Sequence, residues 1–132
     1  MKIIVQKDSF GCGVACVANI LSIEYDEALK LFINGKDKAL KNGFYCKEII
    51  NVFKLKNINY KYKYINQKIK RKIYTEKVIV FIKRSKKYPA GHFLCRINKL
   101  WFDSWINFPE KNKKSGVRKR LPGKPIYLIF PI

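Results

Sequence analysis

A chain of 132 residues with 48% hydrophobic and 14% aromatic content carries enough apolar side chains for one ordinary core. That excludes a disordered polymer and predicts a single domain over residues 1–132. The longest apolar runs, such as Val78-Ile79-Val80-Phe81-Ile82, are far too short to cross a bilayer, and the first six residues show no signal-peptide pattern, so a soluble, cytoplasmic protein is expected. The net charge of +20, with lysine supplying 24 of 29 basic residues, predicts an anionic partner such as nucleic acid or an acidic peptide unless the lysines merely reflect an AT-rich coding bias.

Residues 3–11 read as an extended segment that bends where Gly11 and Gly13 flank Cys12. From residue 12 to about 23, side chains recur three apart (Ala15, Ala18, Leu21) and four apart (Cys12, Cys16, Ile20), which predicts a helix. Asp26 is placed to cap a second short helix ending at Phe32, with Ala28, Leu29 and Phe32 as its buried stripe. Residues 34–37 read as a loop. A third helix is predicted from about 46 to 56, burying Ile49, Ile50 and Phe53. The period then drops to two. Tyr60, Tyr62 and Tyr64 alternate with lysines, as in a half-exposed strand, and residues 78–82 read as a central strand. Residues 92–97 and 100–103 flank Asn98-Lys99 and predict a hairpin. Residues 107–125 read as a polar, basic loop and 126–130 as a last strand. Helices followed by a mostly antiparallel sheet make an α+β layout.

The four cysteines, Cys12, Cys16, Cys46 and Cys95, are expected to be free thiols in a signal-free domain of this size. Their spacing contains no pair of short knuckles and His92 is the only histidine, so no metal site and no cofactor are predicted. Cys16, Cys46 and Cys95 sit in apolar patterns and read as core. Cys12 reads as a nucleophile, because a helix N-terminus offers free N–H groups and a dipole to a thiolate, and the flanking glycines let a substrate come close.

Any Cys–His chemistry must use His92, which opens a strand after Pro89-Ala90-Gly91. If Asn98-Lys99 is a two-residue turn, Ile97 faces Leu100 and Asp103 falls opposite Leu94, one diagonal step from His92 on the same face. If the turn slips to Ile97-Asn98, His92 and Asp103 oppose each other directly. Both registers put a carboxylate beside the imidazole. Gln6 supplies a side-chain amide which, with the N–H of Cys12, can meet a carbonyl oxygen gaining charge.

Gln6, Asp8, Cys12-Gly13, Ala15-Cys16, Gly91-His92-Phe93 and Asp103 together resemble the papain-like cysteine peptidases of the bacteriocin-processing, double-glycine leader type, over residues 3 to about 105. The resemblance implies a papain-like fold in which Cys12 attacks, His92 acts as base and then acid, Asp103 orients His92 and Gln6 lines the oxyanion hole. It also implies a peptide or protein substrate cut after small residues such as Gly-Gly. One departure is Gly11, where that family usually has Asp before its Cys. The strand around His92 and Trp101-Phe102-Asp103-Ser104 also resemble Josephin-type deubiquitinases, so an ubiquitin-like isopeptidase is an alternative. Another is an inactive papain-like fold serving as a basic nucleic-acid-binding module, with Tyr60 to Tyr64 and Arg118-Lys119-Arg120 meeting bases and phosphates.

Overall fold

The computed structural model describes residues 2–132. Four helices come first: α1 (Cys12–Leu21), α2 (Tyr25–Leu29), α3 (Gly35–Lys41) and α4 (Cys46–Leu55). Six strands follow: β1 (Tyr60–Tyr64), β2 (Ile79–Ile82), β3 (His92–Ile97), β4 (Leu100–Asp103), β5 (Gly116–Arg118) and β6 (Pro125–Pro131). They form one sheet in the order β1-β6-β2-β3-β4-β5, and every neighbouring pair is antiparallel. The protein is therefore α+β, with its helices on one face of an antiparallel sheet. Among the described residues no helix is long and apolar enough to cross a membrane.

The spacing of small side chains explains why α1 lies at the centre. Val14, Ala15, Val17 and Ala18 are fully buried, so α1 is covered nearly all round and contacts β3, α2 and α4. Each buried valine contributes about 2 kcal/mol by leaving water, and the alanines allow β3 a close approach. α4 begins where the Tyr45 N–H donates to Glu48 Oε1 at 2.8 Å, satisfying one donor that the helix cannot satisfy itself. Its buried stripe is Ile49, Val52 and Phe53, with Phe53 stacked on Tyr60 at 4.0 Å between ring centroids.

The opposite face of the sheet carries a second apolar cluster built on Val80, Leu94, Trp101, Leu128 and Phe130. A 3-10 turn at Lys70–Tyr74 lies against it through Ile73. Asn98 and Lys99 have φ of 53° and 65°, the left-handed pair that closes a tight hairpin. The register Ile97↔Leu100 follows from that turn, so the unslipped alternative is the one found.

Several expectations are corrected. The second helix is only Tyr25–Leu29, with Asp26 in its first turn and Glu24 before it; Asp26 instead pairs with Lys7 at 2.8 Å. The expected loop at 34–37 opens α3, whose one buried side chain, Ala39, gives no readable periodicity. β5 lies inside the expected 107–125 loop, and three residues are too few to show an alternation. β1 is more exposed than half: only Tyr60, stacked under Phe53 of α4, is buried, because the strand forms the sheet edge.

Candidate active site

Cys12 is the first residue of α1, and no side chain caps that helix end. The first-turn N–H groups, that of Cys12 included, have no partner within the helix. The bend before it is held by packing. The Asp8 carboxylate, buried under α2, accepts the Tyr25 hydroxyl at 2.8 Å and pairs with Lys36 Nζ at 2.9 Å. Tyr25 is thereby pressed on Gly11, where a Cβ would lie 2.0 Å from Tyr25 Oη. No side chain fits there, which explains glycine immediately before the thiol.

The other side of the site comes from the β3–β4 hairpin. Gly91 has φ of +78°, and a Cβ on it would lie 2.2 Å from Phe81 Cζ and 2.8 Å from the Ile82 carbonyl. The chain can thus turn tightly under Phe81 and deliver His92 at the start of β3. His92 Nε2 lies 2.8 Å from Asp103 Oδ1, across the diagonal expected from the hairpin register. Nε2–H donates to that carboxylate, leaving Nδ1 as the ring atom not committed to Asp103. The Tyr88 ring stacks on the imidazole at 4.8 Å and 4°, fixing its plane. The Phe93 N–H donates to Cys12 Sγ at 3.4 Å, so the residue after the histidine also holds the sulphur.

Asp103 is fully buried, and its oxygens are shared among three donors. Oδ1 also accepts the Trp105 N–H at 3.0 Å, and Oδ2 accepts Arg118 Nε at 2.8 Å. Burial works against both charged groups, and the local partners outweigh it. Against that burial, the hydrogen bond to Asp103 and the nearness of the Cys12 sulphur raise the His92 pKa from 6.5 to about 9. The charge and hydrogen bond of His92, with Arg118 and the Trp105 amide, lower that of Asp103 to about 2. At neutral pH both are charged. Leaving either uncompensated in the interior would cost about 3–5 kcal/mol.

Gln6 is buried beside the cleft with its amide fully engaged. Oε1 accepts the Ser104 hydroxyl at 2.7 Å, and Nε2 donates to the carbonyls of Asp8 at 3.0 Å and Ser9 at 3.2 Å. Its own N–H donates to the Ser104 carbonyl at 3.2 Å. Gln6 therefore ties the N-terminal segment to the residue after Asp103. Cys16 and Cys95 are buried, and Cys46 is half-buried at the start of α4; all four thiols are free. Burial pushes the Cys46 thiol up to about 11, and burial with neighbouring Cys95 raises that of Cys16.

Cys12, His92 and Gln6 line one cleft of about 870 Å³, walled by aromatic side chains that include Phe10, Phe81, Tyr88, Trp105 and Tyr127. All four residues expected at the site thus lie together, with Asp103 just beneath the surface. Sequence reasoning missed Arg118, Tyr88, Ser104 and the Phe93 amide. Arg118 had a usable signal: its register opposite Trp101 puts it on the Asp103 face, but β5 itself was not legible. The arrangement can activate a sulphur nucleophile and move one proton to and from it. No protein-family model matches the chain, and no curated protein matches it.

Proposed function

We propose that the protein is a papain-like cysteine peptidase that hydrolyses peptide bonds through Cys12, His92 and Asp103, with no cofactor. One observation carries the reading: His92, bonded to Asp103, and Cys12, at a helix N-terminus and bonded by the neighbouring Phe93 N–H, line the same cleft. The sulphur attacks the carbonyl carbon, and the oxygen takes up charge beside the Cys12 N–H. Gln6 Nε2 joins it by giving up its longer bond, to Ser9. Imidazolium His92 passes its proton to the leaving nitrogen as the C–N bond breaks, leaving a thioester. Neutral His92 then takes a proton from water, whose oxygen attacks the thioester; the C–S bond breaks, the acid leaves, and the Cys12 thiolate and imidazolium are restored. Asp103 remains ionised throughout and orients the ring. The aromatic walls favour a narrow residue at the cut, so Gly-Gly is the first substrate choice.

The test is cleavage of a defined peptide mixture containing Gly-Gly sites, read by mass spectrometry. Wild type is expected to cut after small residues, and Cys12→Ala to lose all turnover while keeping the wild-type circular dichroism. Equal cleavage by Cys12→Ala, or none by wild type, would overturn the proposal.

A further inference from the structure

The positive charge is not spread evenly. Residues 1–57, which hold all four helices, contain nine basic and six acidic residues; residues 58–132, which hold the whole sheet, contain twenty and three. Coding bias toward lysine is blind to the fold and gives no reason for acids to be missing from one part. The ion pairs follow the same division. Lys2, Lys7, Lys36, Lys38 and Lys41 each pair with a carboxylate of the helical part. Among the described residues, Arg118 is the sole Lys or Arg of the sheet part so paired.

Four of the unpaired cations lie at the β1 edge. Lys61 and Lys63 stand opposite Phe130 and Leu128, on the face turned away from the helices. Lys61 Nζ lies 5.5 Å and Lys72 Nζ 4.9 Å from the centre of the Phe130 ring, so β1 and the 3-10 turn present one shared patch, extended by exposed Lys70. The acid of this region, Glu76, is turned to the Asn98 N–H at 2.9 Å. On the other side of the same strand Tyr62 and Tyr64 are 44% and 62% exposed, in a cluster with Tyr127 at 6.5 and 5.8 Å.

We propose that the β1 edge binds single-stranded nucleic acid, with Tyr62 and Tyr64 stacking on bases and Lys61, Lys63, Lys70 and Lys72 meeting phosphates. β1 ends the sheet, so its outer side is open along its length. An extended strand lying there meets rings on one side and ammonium groups on the other, the combination that holds single strands without reading sequence. Paired bases in a duplex cannot reach the tyrosines. A lipid surface fits less well, because docking on a bilayer places apolar side chains among the cations. Of the exposed aliphatic residues, Ile33, Leu40 and Leu55 lie in the helical part and Val117 at the opposite edge of the sheet, which leaves Ile132 alone near β1 among the described residues. The tyrosine cluster adjoins the cleft through Tyr127, which belongs to both, and the proposal does not depend on peptidase activity.

Fluorescence anisotropy of a labelled oligothymidylate tests it. Log affinity is expected to fall linearly with log salt with a slope of about −3, four phosphates at about 0.7 each. Lys61→Glu/Lys63→Glu should weaken binding at least tenfold. Should that variant misfold, Lys61→Gln/Lys63→Gln should flatten the slope by about 1.4. Tyr62→Ala/Tyr64→Ala should weaken binding about tenfold with the slope unchanged. Lys30→Glu/Lys47→Glu, two exposed lysines of the helical part, should change it less than twofold. An equal loss in that control, tighter binding to the matching duplex, or binding to phosphatidylserine vesicles but not to the oligonucleotide would each overturn the proposal.

Discussion

The two walls of the cleft hold their functional groups by different means. On the sheet wall, backbone register does the positioning: the Asn98-Lys99 turn sets the ladder, the ladder sets the diagonal, and His92 meets Asp103 at 2.8 Å. Arg118 reaches the same carboxylate from β5 on the opposite side. On the helix wall no ladder exists. Cys12 stands where it does because Asp8 holds Tyr25 and Tyr25 leaves room only for glycine at position 11. Gln6 is placed by hydrogen bonds to Ser104, ninety-eight residues away in the chain. A register tolerates loss of one partner; a buttress built of single side chains does not.

That contrast makes Gly11 the place to break the comparison hardest. Gly11→Ala should destabilise the fold by about 3 kcal/mol, since Tyr25 is buried and tied to Asp8 and cannot swing aside. Tyr25→Phe removes the oxygen 2.0 Å from the new Cβ, so the double variant should be more stable than Gly11→Ala alone. Urea unfolding of the four proteins measures this, and strict additivity would mean the buttress does not exist.

Gln6→Ala gives the next largest effect. Turnover on any peptide the wild type cleaves should fall about a hundredfold, the usual loss for one oxyanion donor. The melting temperature should fall as well, because three side-chain hydrogen bonds of a buried residue are lost. Wild-type turnover in a protein of lowered stability would assign Gln6 to structure alone.

A smaller effect is expected on the sheet wall. Arg118→Met keeps the length of the side chain and removes one of three donors to Asp103. Turnover should fall only about tenfold, with KM little changed, because the register still presents Asp103 to His92. A loss as large as that of Gln6→Ala would show that the ladder alone does not hold the acid.

The same contrast decides what could be read from the sequence. Parity along a hairpin is a property of spacing, so the pairing of His92 with Asp103 was legible in either register, and so were α1, α4 and the central strand. Side-chain buttressing leaves no period. Nothing in Asp8, Tyr25 and Lys36 announces that they converge, and the commitment of Gln6 to the Asp8 and Ser9 carbonyls depends on a bend that two glycines only permit. Short elements were lost for a related reason. α3 buries one alanine and β5 spans three residues, so each owes its form to what it packs or pairs against.

The central claim is that His92 rests as an imidazolium held by Asp103 beside Cys12, and one titration addresses it. His92 is the only histidine, so its ring Cε1–H proton gives a single assignable NMR signal. In wild type the midpoint should lie near 9, with the ring protonated below that pH and neutral above it. Asp103→Asn and Cys12→Ala each remove a group that favours the charged ring while burial still opposes it, so both midpoints should move down, Asp103→Asn further. A wild-type midpoint at or below 6.5, unmoved by Cys12→Ala, would contradict the account.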